Sequence, residues 1–160
     1  MKIDPERDIV LERYLNAPPH IVWRCWSEPE LFCQWYLPKP WRVVEAILDL
    51  RPGGRFSMVT RGPDGQGVTG EGSFLHVIPE RMLVFTDLFG ADFAPFETPD
   101  TSFGPNFTAV LSFEPEGVGT RHRAVARHRC AQDAVANREG GFEEGWAMTA
   151  NQLDELAGTL

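Results

Sequence analysis

The sequence has few cysteines and no long apolar run, and each shortage excludes a class of protein. Its three cysteines, Cys25, Cys33 and Cys130, have no Cys-x-x-Cys spacing, which argues against a disulfide framework and a zinc knuckle. No segment reaches the roughly eighteen consecutive apolar residues of a membrane helix, and the first residues are charged rather than apolar. We therefore expect a cytoplasmic protein with reduced thiols that does not enter a membrane.

Positive charge is scarce as well. The chain carries 15 Lys and Arg against 23 Asp and Glu, for a net charge of -8. Such a surface repels phosphate backbones and anionic bilayers, and no local cluster of basic residues offsets it. The composition therefore predicts no nucleic acid partner and no membrane partner.

Neither a metal site nor a cofactor is predicted. His122 and His128 fall on one predicted strand, where six residues at about 3.3 Å each place them roughly 20 Å apart, too far to bind one ion. His20 and His76 belong to other elements. The glycine pairs match neither a phosphate-binding loop nor a dinucleotide-binding fingerprint.

A single domain spanning residues 1–160 is expected, because the chain has no repeat and no linker. A strand over 8–15 is followed by Pro18-Pro19 and later by Ser27-Glu28-Pro29-Glu30, which predict the starts of two short helices. Short turns rich in Gly and Pro then separate strands, which indicates an antiparallel meander. The predicted strands are 42–50, 55–61, 69–77, 82–88, 106–114 and 121–128.

The segment from Phe89 to Pro105 interrupts this rhythm. It is rich in Gly and Pro, yet it contains four phenylalanines, too many for a disordered linker. Two interpretations stay open. The segment is either an ordered loop whose Phe side chains cover the open end of the sheet, or a mobile lid over a ligand site.

The C-terminal run that begins at Gly141-Phe142 predicts a long amphipathic helix. Its apolar face is too large for a helix to bury alone, so we expect a curved sheet to cover it. The predicted face comprises Phe142, Trp146, Thr149, Leu153, Leu156 and Leu160.

The ordered set of these motifs resembles the START-like (SRPBCC) superfamily and, within it, bacterial homologues of the activator of a heat-shock chaperone's ATPase. The superfamily also includes polyketide cyclases. The resemblance spans almost the whole chain. It rests on Arg13-Tyr14-Leu15-Asn16-Ala17-Pro18, Val22-Trp23, Trp26, Pro29-Glu30-Leu31, Trp35, Asp49-Leu50-Arg51-Pro52-Gly53-Gly54-Arg55-Phe56, Gly72-Ser73-Phe74, Pro79-Glu80-Arg81-Met82-Leu83-Val84-Phe85-Thr86, Gly119-Thr120, Gly141-Phe142 and Gly145-Trp146.

The resemblance implies an α+β helix-grip fold, in which a seven-stranded curved antiparallel sheet wraps a long C-terminal helix and two short helices follow the first strand. It also implies a mostly apolar cavity between sheet and helix. Two departures stand out. Asn137-Arg138-Glu139-Gly140 occupies the place where relatives often have a His, and the chain has no room for the separate chaperone-binding domain of the chaperone activators.

We expect the cavity to bind a small apolar or aromatic molecule, without a cofactor. One alternative is a cyclase-like or hydrolase-like enzyme that uses a pocket His or carboxylate such as His122, Asp49 or Asp87. Another is a module that binds a chaperone or other protein through an exposed apolar patch. A homodimer is possible. The predicted ligand-binding residues are Phe56, Met58, Phe74, Phe85, Phe107, Phe142 and Trp146.

Overall fold

A computed structural model describes residues 1–160, which form seven strands and four α-helices. The strands are β1 (Asp8–Leu15), β2 (Arg42–Leu48), β3 (Arg55–Arg61), β4 (Thr69–Ile78), β5 (Met82–Thr86), β6 (Phe107–Glu116) and β7 (Gly119–His128). The helices are α1 (Pro19–Ser27), α2 (Pro29–Trp35), α3 (Ala131–Glu139) and α4 (Phe142–Ala157).

The strands form one curled antiparallel sheet in the order β1-β7-β6-β5-β4-β3-β2. Strands β2 to β7 pair with their sequence neighbours, whereas β1 pairs with β7 and brings Asp8 opposite Arg127. The longest pairing joins β6 to β7 and runs from Phe107 opposite His128 to Glu116 opposite Gly119. The predicted helix-grip fold is confirmed.

The core lies between the concave face of the sheet and the helices. Period-two patterning places Ala109, Leu111 and Phe113 of β6 on this face, and all three are buried. Helices α1 and α2 contribute Trp26 and Phe32 from the opposite side. The indole N–H of Trp35 donates a hydrogen bond to the Cys25 carbonyl at 2.9 Å and thereby ties the two short helices together.

Polar side chains of α4 hold this helix against the first half of the chain. The Gln152 amide donates to the carbonyls of Trp35 (2.8 Å) and Leu37 (2.7 Å), and it accepts from the Lys39 N–H. Two residues later, Asp154 accepts hydrogen bonds from the backbone and side chain of Asn16. The position of α4 over the sheet is therefore fixed by directional contacts in addition to apolar packing.

The C-terminal region differs from the expectation in two ways. Helix α3 was not predicted, because it buries only Ala134 and Asn137 and has no apolar face to reveal it. Helix α4 ends at Ala157, so Leu160 lies beyond it and is 44% exposed, which makes its predicted place on the buried face wrong. Gly141 joins the two helices with a φ of 84°, a left-handed conformation that favours glycine.

The segment between β5 and β6 is a loop with a short 3₁₀ turn at Ala91–Phe93. Its end is fastened by Asn137 of α3, whose amide donates to the Pro105 carbonyl (3.2 Å) and lies 2.7 Å from His128 Nε2. The phenyl ring of Phe93 covers Gly53 in the β2–β3 turn. None of the helices has the length and hydropathy needed to span a membrane.

Candidate ligand-binding cavity

A cavity of about 260 Å³ lies between α4 and the strands β3 to β6. We call it the main cavity. Its walls come from four parts of the chain: the sheet, the first turns of α4, the segment that follows α2, and the loop between β5 and β6. The lining residues are Tyr36, Leu37, Pro38, Phe56, Met58, Gly70, Glu71, Phe85, Asp87, Phe103, Phe107, Phe142, Gly145, Trp146 and Thr149.

Large side chains on neighbouring strands form the sheet wall. Phe56 and Phe85 stack with ring centroids 4.7 Å apart and planes 20° from parallel. Met58 lies two residues from Phe56 on β3 and therefore on the same face of the strand. Because Gly70 is directly opposite Met58 in the β3–β4 pairing, it leaves space on this face, which the loop residue Phe103 approaches.

An aromatic cluster forms the helix wall. Phe142 and Trp146 are one turn apart on α4, and their ring centroids are 4.7 Å apart. The ring of Phe107 approaches from β6 and meets Phe142 edge-on at 5.2 Å and Trp146 at 5.9 Å. Three aromatic rings from a strand and a helix therefore meet at one side of the cavity.

Six of the seven predicted ligand-binding residues line the main cavity; Phe74 does not. Its backbone hydrogen bonds with Gly53 (2.7 Å) and Gly54 (2.9 Å) place it beneath the β2–β3 turn, where it is 1% exposed. Phe74 packs edge-on against Phe56 at 5.5 Å and so supports the wall from behind. Whether the other six bind a ligand stays a prediction.

Several lining residues were not anticipated. Tyr36, Leu37 and Pro38 follow α2, and their position depends on the Gln152 contacts, which no local pattern reveals. Phe103 is the one phenylalanine of the loop that reaches the main cavity. The helix glycine Gly145 gave a usable signal, because a glycine inside an amphipathic helix usually reflects a packing or functional need.

Two carboxylates make the main cavity more than an apolar pocket. Glu71 forms an ion pair with Arg55, whose Nε lies 3.3 Å from Glu71 Oε1. Asp87, just beyond β5, accepts a hydrogen bond from the Phe107 N–H at 3.0 Å and forms no ion pair. Burial raises the pKa of the Asp87 carboxyl, while hydrogen bonds from the Asn106 side chain and the Phe107 backbone lower it.

The phenol of Tyr36 belongs to the same polar region. Burial, and secondarily the negative charge of Asp87, raise the pKa of Tyr36, so its hydroxyl stays neutral. The main cavity therefore combines aromatic walls with a carboxylate and a neutral phenol.

A second, smaller cavity of about 30 Å³ lies deeper in the protein, and we call it the inner cavity. Tyr36, Trp146 and Thr149 line both cavities and divide them. His122 also lines the inner cavity, where its ring stacks on Phe113 at 5.0 Å and its Nδ1 lies 3.1 Å from the Ser112 carbonyl. Burial lowers the pKa of His122 to about 4, so the ring is neutral at pH 7.

The tautomer of His122 follows from its hydrogen bond. Since a carbonyl only accepts, Nδ1 carries the hydrogen and Nε2 is left as an acceptor. On the same inner cavity, the buried Trp26 Nε1–H has no acceptor among the protein's own atoms. The inner cavity thus has room for about one water molecule between rings that offer a donor and an acceptor.

The remaining candidate carboxylate, Asp49, lies outside both cavities. It pairs with Arg51 at 2.8 Å at the start of the β2–β3 turn, and its side chain is 43% exposed. No group of three or more His, Cys, Asp or Glu side chains comes together in a way that could hold a metal ion. Of the three candidate acid–base residues, only Asp87 faces the main cavity.

Similarity to known proteins covers the whole fold. Residues 16–158 match the family model described as "Activator of Hsp90 ATPase homolog 1-like protein". A crystal structure from Nitrosomonas europaea is 39% identical and covers 98% of this chain and 97% of its own, with a TM-score of 0.89. One from Mycobacterium smegmatis is 26% identical, covers 97% of this chain and 93% of its own, and has a TM-score of 0.78.

A more distant solution structure shows the fold alone. It belongs to an AHSA1-like protein from Aeromonas hydrophila, which is 20% identical, covers 95% of this chain and 92% of its own, and has a TM-score of 0.69. No curated protein matches the chain.

Proposed function

Because this chain belongs to the Activator of Hsp90 ATPase homolog 1-like family, we propose that it binds a small apolar or aromatic molecule in the main cavity. The observation that carries the proposal is a hollow of about 260 Å³ with aromatic side chains from both the sheet and α4. An apolar cavity of about 150 Å³ already binds benzene, so this larger volume suits a molecule with two or three aromatic rings. Such a molecule would bind chiefly by removing apolar surface from water.

Trp146 gives the most direct test, because its ring contributes to the helix wall. Replacing it with Ala should weaken binding of the neutral probe N-phenyl-1-naphthylamine by about tenfold or more, from lost apolar contact. Trp23→Ala is the matched control: Trp23 packs edge-on against Phe113 and does not line the main cavity. A fluorescence titration with intact folding and unchanged affinity in Trp146→Ala would contradict the proposal.

Gly145 offers a second test that does not depend on removing a large side chain. A Cβ built on Gly145 would have only the Pro38 ring as a neighbour, at 3.7 Å, so a side chain is sterically tolerated. Because Gly145 and Pro38 both line the main cavity, Gly145→Met should fill part of it. We expect a folded protein that no longer binds the probe, whereas a folded variant with full affinity would place the probe elsewhere.

Native mass spectrometry of freshly purified protein would reveal the natural ligand directly. A retained small molecule that is lost from Gly145→Met would identify the occupant of the main cavity. Retention by both proteins would count against binding there.

Asp87 favours a second candidate function, acid–base catalysis on a molecule bound in the main cavity. A carboxyl group whose pKa is raised by burial in a cleft is the kind of group that can act as a general acid or base. Incubation of the retained molecule with the protein, followed by chromatography and mass spectrometry, tests this function. Conversion that is lost in Asp87→Asn and kept in Asp49→Asn supports it, and an unchanged molecule counts against it.

The protein-binding alternative has weaker support. Exposed apolar side chains occur on both edge strands, with Val10 and Tyr14 on β1 and Val44 and Ile47 on β2, at opposite ends of the sheet. They do not form one patch. A cytoplasmic location and a homodimer stay predictions.

A further inference from the structure

The charges that line the main cavity are all negative. Among its lining residues only Glu71 and Asp87 carry a formal charge, and no Lys, Arg or His is present. Arg55 compensates Glu71 from outside the lining. The main cavity therefore holds one carboxylate, that of Asp87, that forms no ion pair; the charge of His128, which lies outside the lining, is the smallest of the influences that lower its pKa.

An unpaired carboxylate constrains what can bind beside it. A ligand that closes the main cavity removes water from Asp87, and the loss of that water is costly unless the ligand supplies a replacement for it. An anionic ligand would add repulsion, and a purely apolar ligand would supply no donor. A ligand with a positively charged donor would meet the requirement.

The aromatic walls favour the same kind of ligand. The faces of Phe and Trp rings attract cations within about 6 Å, and this attraction grows when water is excluded. Phe107, Phe142 and Trp146 surround one side of the main cavity, and the Phe107 N–H donates to Asp87. The carboxylate and this aromatic cluster thus meet at a single residue, Phe107.

Tyr36 adds an acceptor to this polar region. Its hydroxyl has no hydrogen-bond partner in the protein, and its ring lines the main cavity close enough to Asp87 to be affected by that charge. A neutral phenol oxygen can accept one N–H of an ammonium group while Asp87 accepts another. The net charge of -8 further favours the approach of a cation.

We propose that the ligand of the main cavity is an amine cation with an aromatic body, whose ammonium group is held by Asp87 and Tyr36 while its rings lie among Phe56, Phe85 and Trp146. This proposal rests on the proposed function, that the main cavity binds a small apolar or aromatic molecule. It adds the class of ligand and names the residue that selects it.

Three probes with the same ring system and different charges test the selection. They are 2-naphthylmethylamine, a cation at pH 7, 2-naphthylmethanol, which is neutral, and 2-naphthoic acid, an anion. By calorimetric titration we expect the amine to bind about tenfold more tightly than the alcohol, since hydrogen bonds to charged groups contribute that much, and the acid to bind most weakly.

Asp87→Asn separates the charge from the shape of the main cavity. The amide oxygen can still accept the Phe107 N–H, so the wall should stay intact. We expect the variant to lose about tenfold in affinity for the amine and less than about threefold for the alcohol. Asp49→Asn is the matched control, because it removes the same net charge from an exposed carboxylate outside both cavities and should leave all three affinities unchanged.

The outcomes distinguish the two proposals. If the alcohol binds the wild-type protein as tightly as the amine, or if Asp87→Asn keeps full affinity for the amine, amine selection is wrong while cavity binding stands. If neither the three probes nor N-phenyl-1-naphthylamine binds, the proposed function fails first.

Discussion

The two cavities are separated by three side chains and are both rich in aromatic residues, yet they differ in what burial does to their polar groups. Around the inner cavity the rings pack closely: Trp26 and Trp35, which line it, and Phe113, which stacks on His122, are each at most 5% exposed. Its titratable residue, His122, is neutral at pH 7. Around the main cavity the rings leave a hollow, and one of the carboxylates that face it, Asp87, forms no ion pair.

Aromatic composition therefore does not distinguish core from binding site in this protein. The distinguishing feature is whether each ring has neighbours on all sides and whether each charged group has an ion-pair partner. Neither condition is met in the main cavity, where Phe107, Phe142 and Trp146 lack neighbours on one side and Asp87 lacks an ion-pair partner. A bound ligand would supply both the missing contacts and the missing partner.

The largest expected difference between the two regions is in the effect of removing one ring. Phe32 is 0% exposed and packs among the rings of the core, so Phe32→Ala should lower the unfolding free energy by about 3–5 kcal/mol. Phe142 is half-buried and lies beside the main cavity, so Phe142→Ala should lower the unfolding free energy by only about 1–2 kcal/mol. Urea denaturation of both variants measures the two effects, and equal losses would remove the contrast between packed core and open wall.

The next expected difference is in the response to acid. The pKa of His122 is 6.5 ordinarily and about 4 in the folded protein, so only the unfolded state binds this proton between those values. Stability should therefore fall by roughly 3 kcal/mol as the pH drops from 6.5 to 4. The raised pKa of Asp87 has the opposite effect on stability, because protonation at lower pH removes the cost of burying its charge.

His122→Gln isolates the contribution of this histidine to the pH dependence. The variant keeps a polar side chain but cannot take up the proton. Unfolding free energies of the wild-type and variant proteins are measured from pH 7 to pH 4, and their difference should shrink across this range. A constant difference would show that His122 does not set the acid sensitivity.

The smallest expected effect concerns two glycines of the α3–α4 region. Gly145 lies inside α4 with space around it, so Gly145→Ala should raise the unfolding free energy of the protein by about 1 kcal/mol. Gly141 has a φ of 84°, which Ala adopts only with strain, so Gly141→Ala should lower the unfolding free energy by about 1 kcal/mol. Thermal and urea unfolding compare the two variants, and a destabilising Gly145→Ala would indicate that the cavity wall at this helix is already tightly packed.

Much of the fold could be predicted because its signals are local. Alternation along 106–114 and the turn at Arg51–Gly54 are sufficient to predict strands and their antiparallel pairing. Helix α3 was missed because a helix that buries only Ala134 and Asn137 has no periodic apolar face. The signals fail where an element is held mainly by its neighbours.

The site could be predicted in part, for the same reason. Alternation places Phe56, Phe85 and Phe107 on the concave face, but it cannot tell a ring that faces a hollow from one covered by a turn, such as Phe74. Tyr36 reaches the main cavity only because α4 fixes the segment after α2. The unpaired state of Asp87 depends on which side chains from distant parts of the chain surround it.

The pairing of β1 with β7 has a consequence for how the chain folds as it is synthesised. Strands β2 to β6 pair with sequence neighbours and can form hairpins soon after they leave the ribosome. Strand β1 must wait until residues 119–128 have been made, and Asn16 waits longer still for Asp154. The first strand is therefore exposed for most of translation, and a binding partner or chaperone that acts on the nascent chain would find it unpaired.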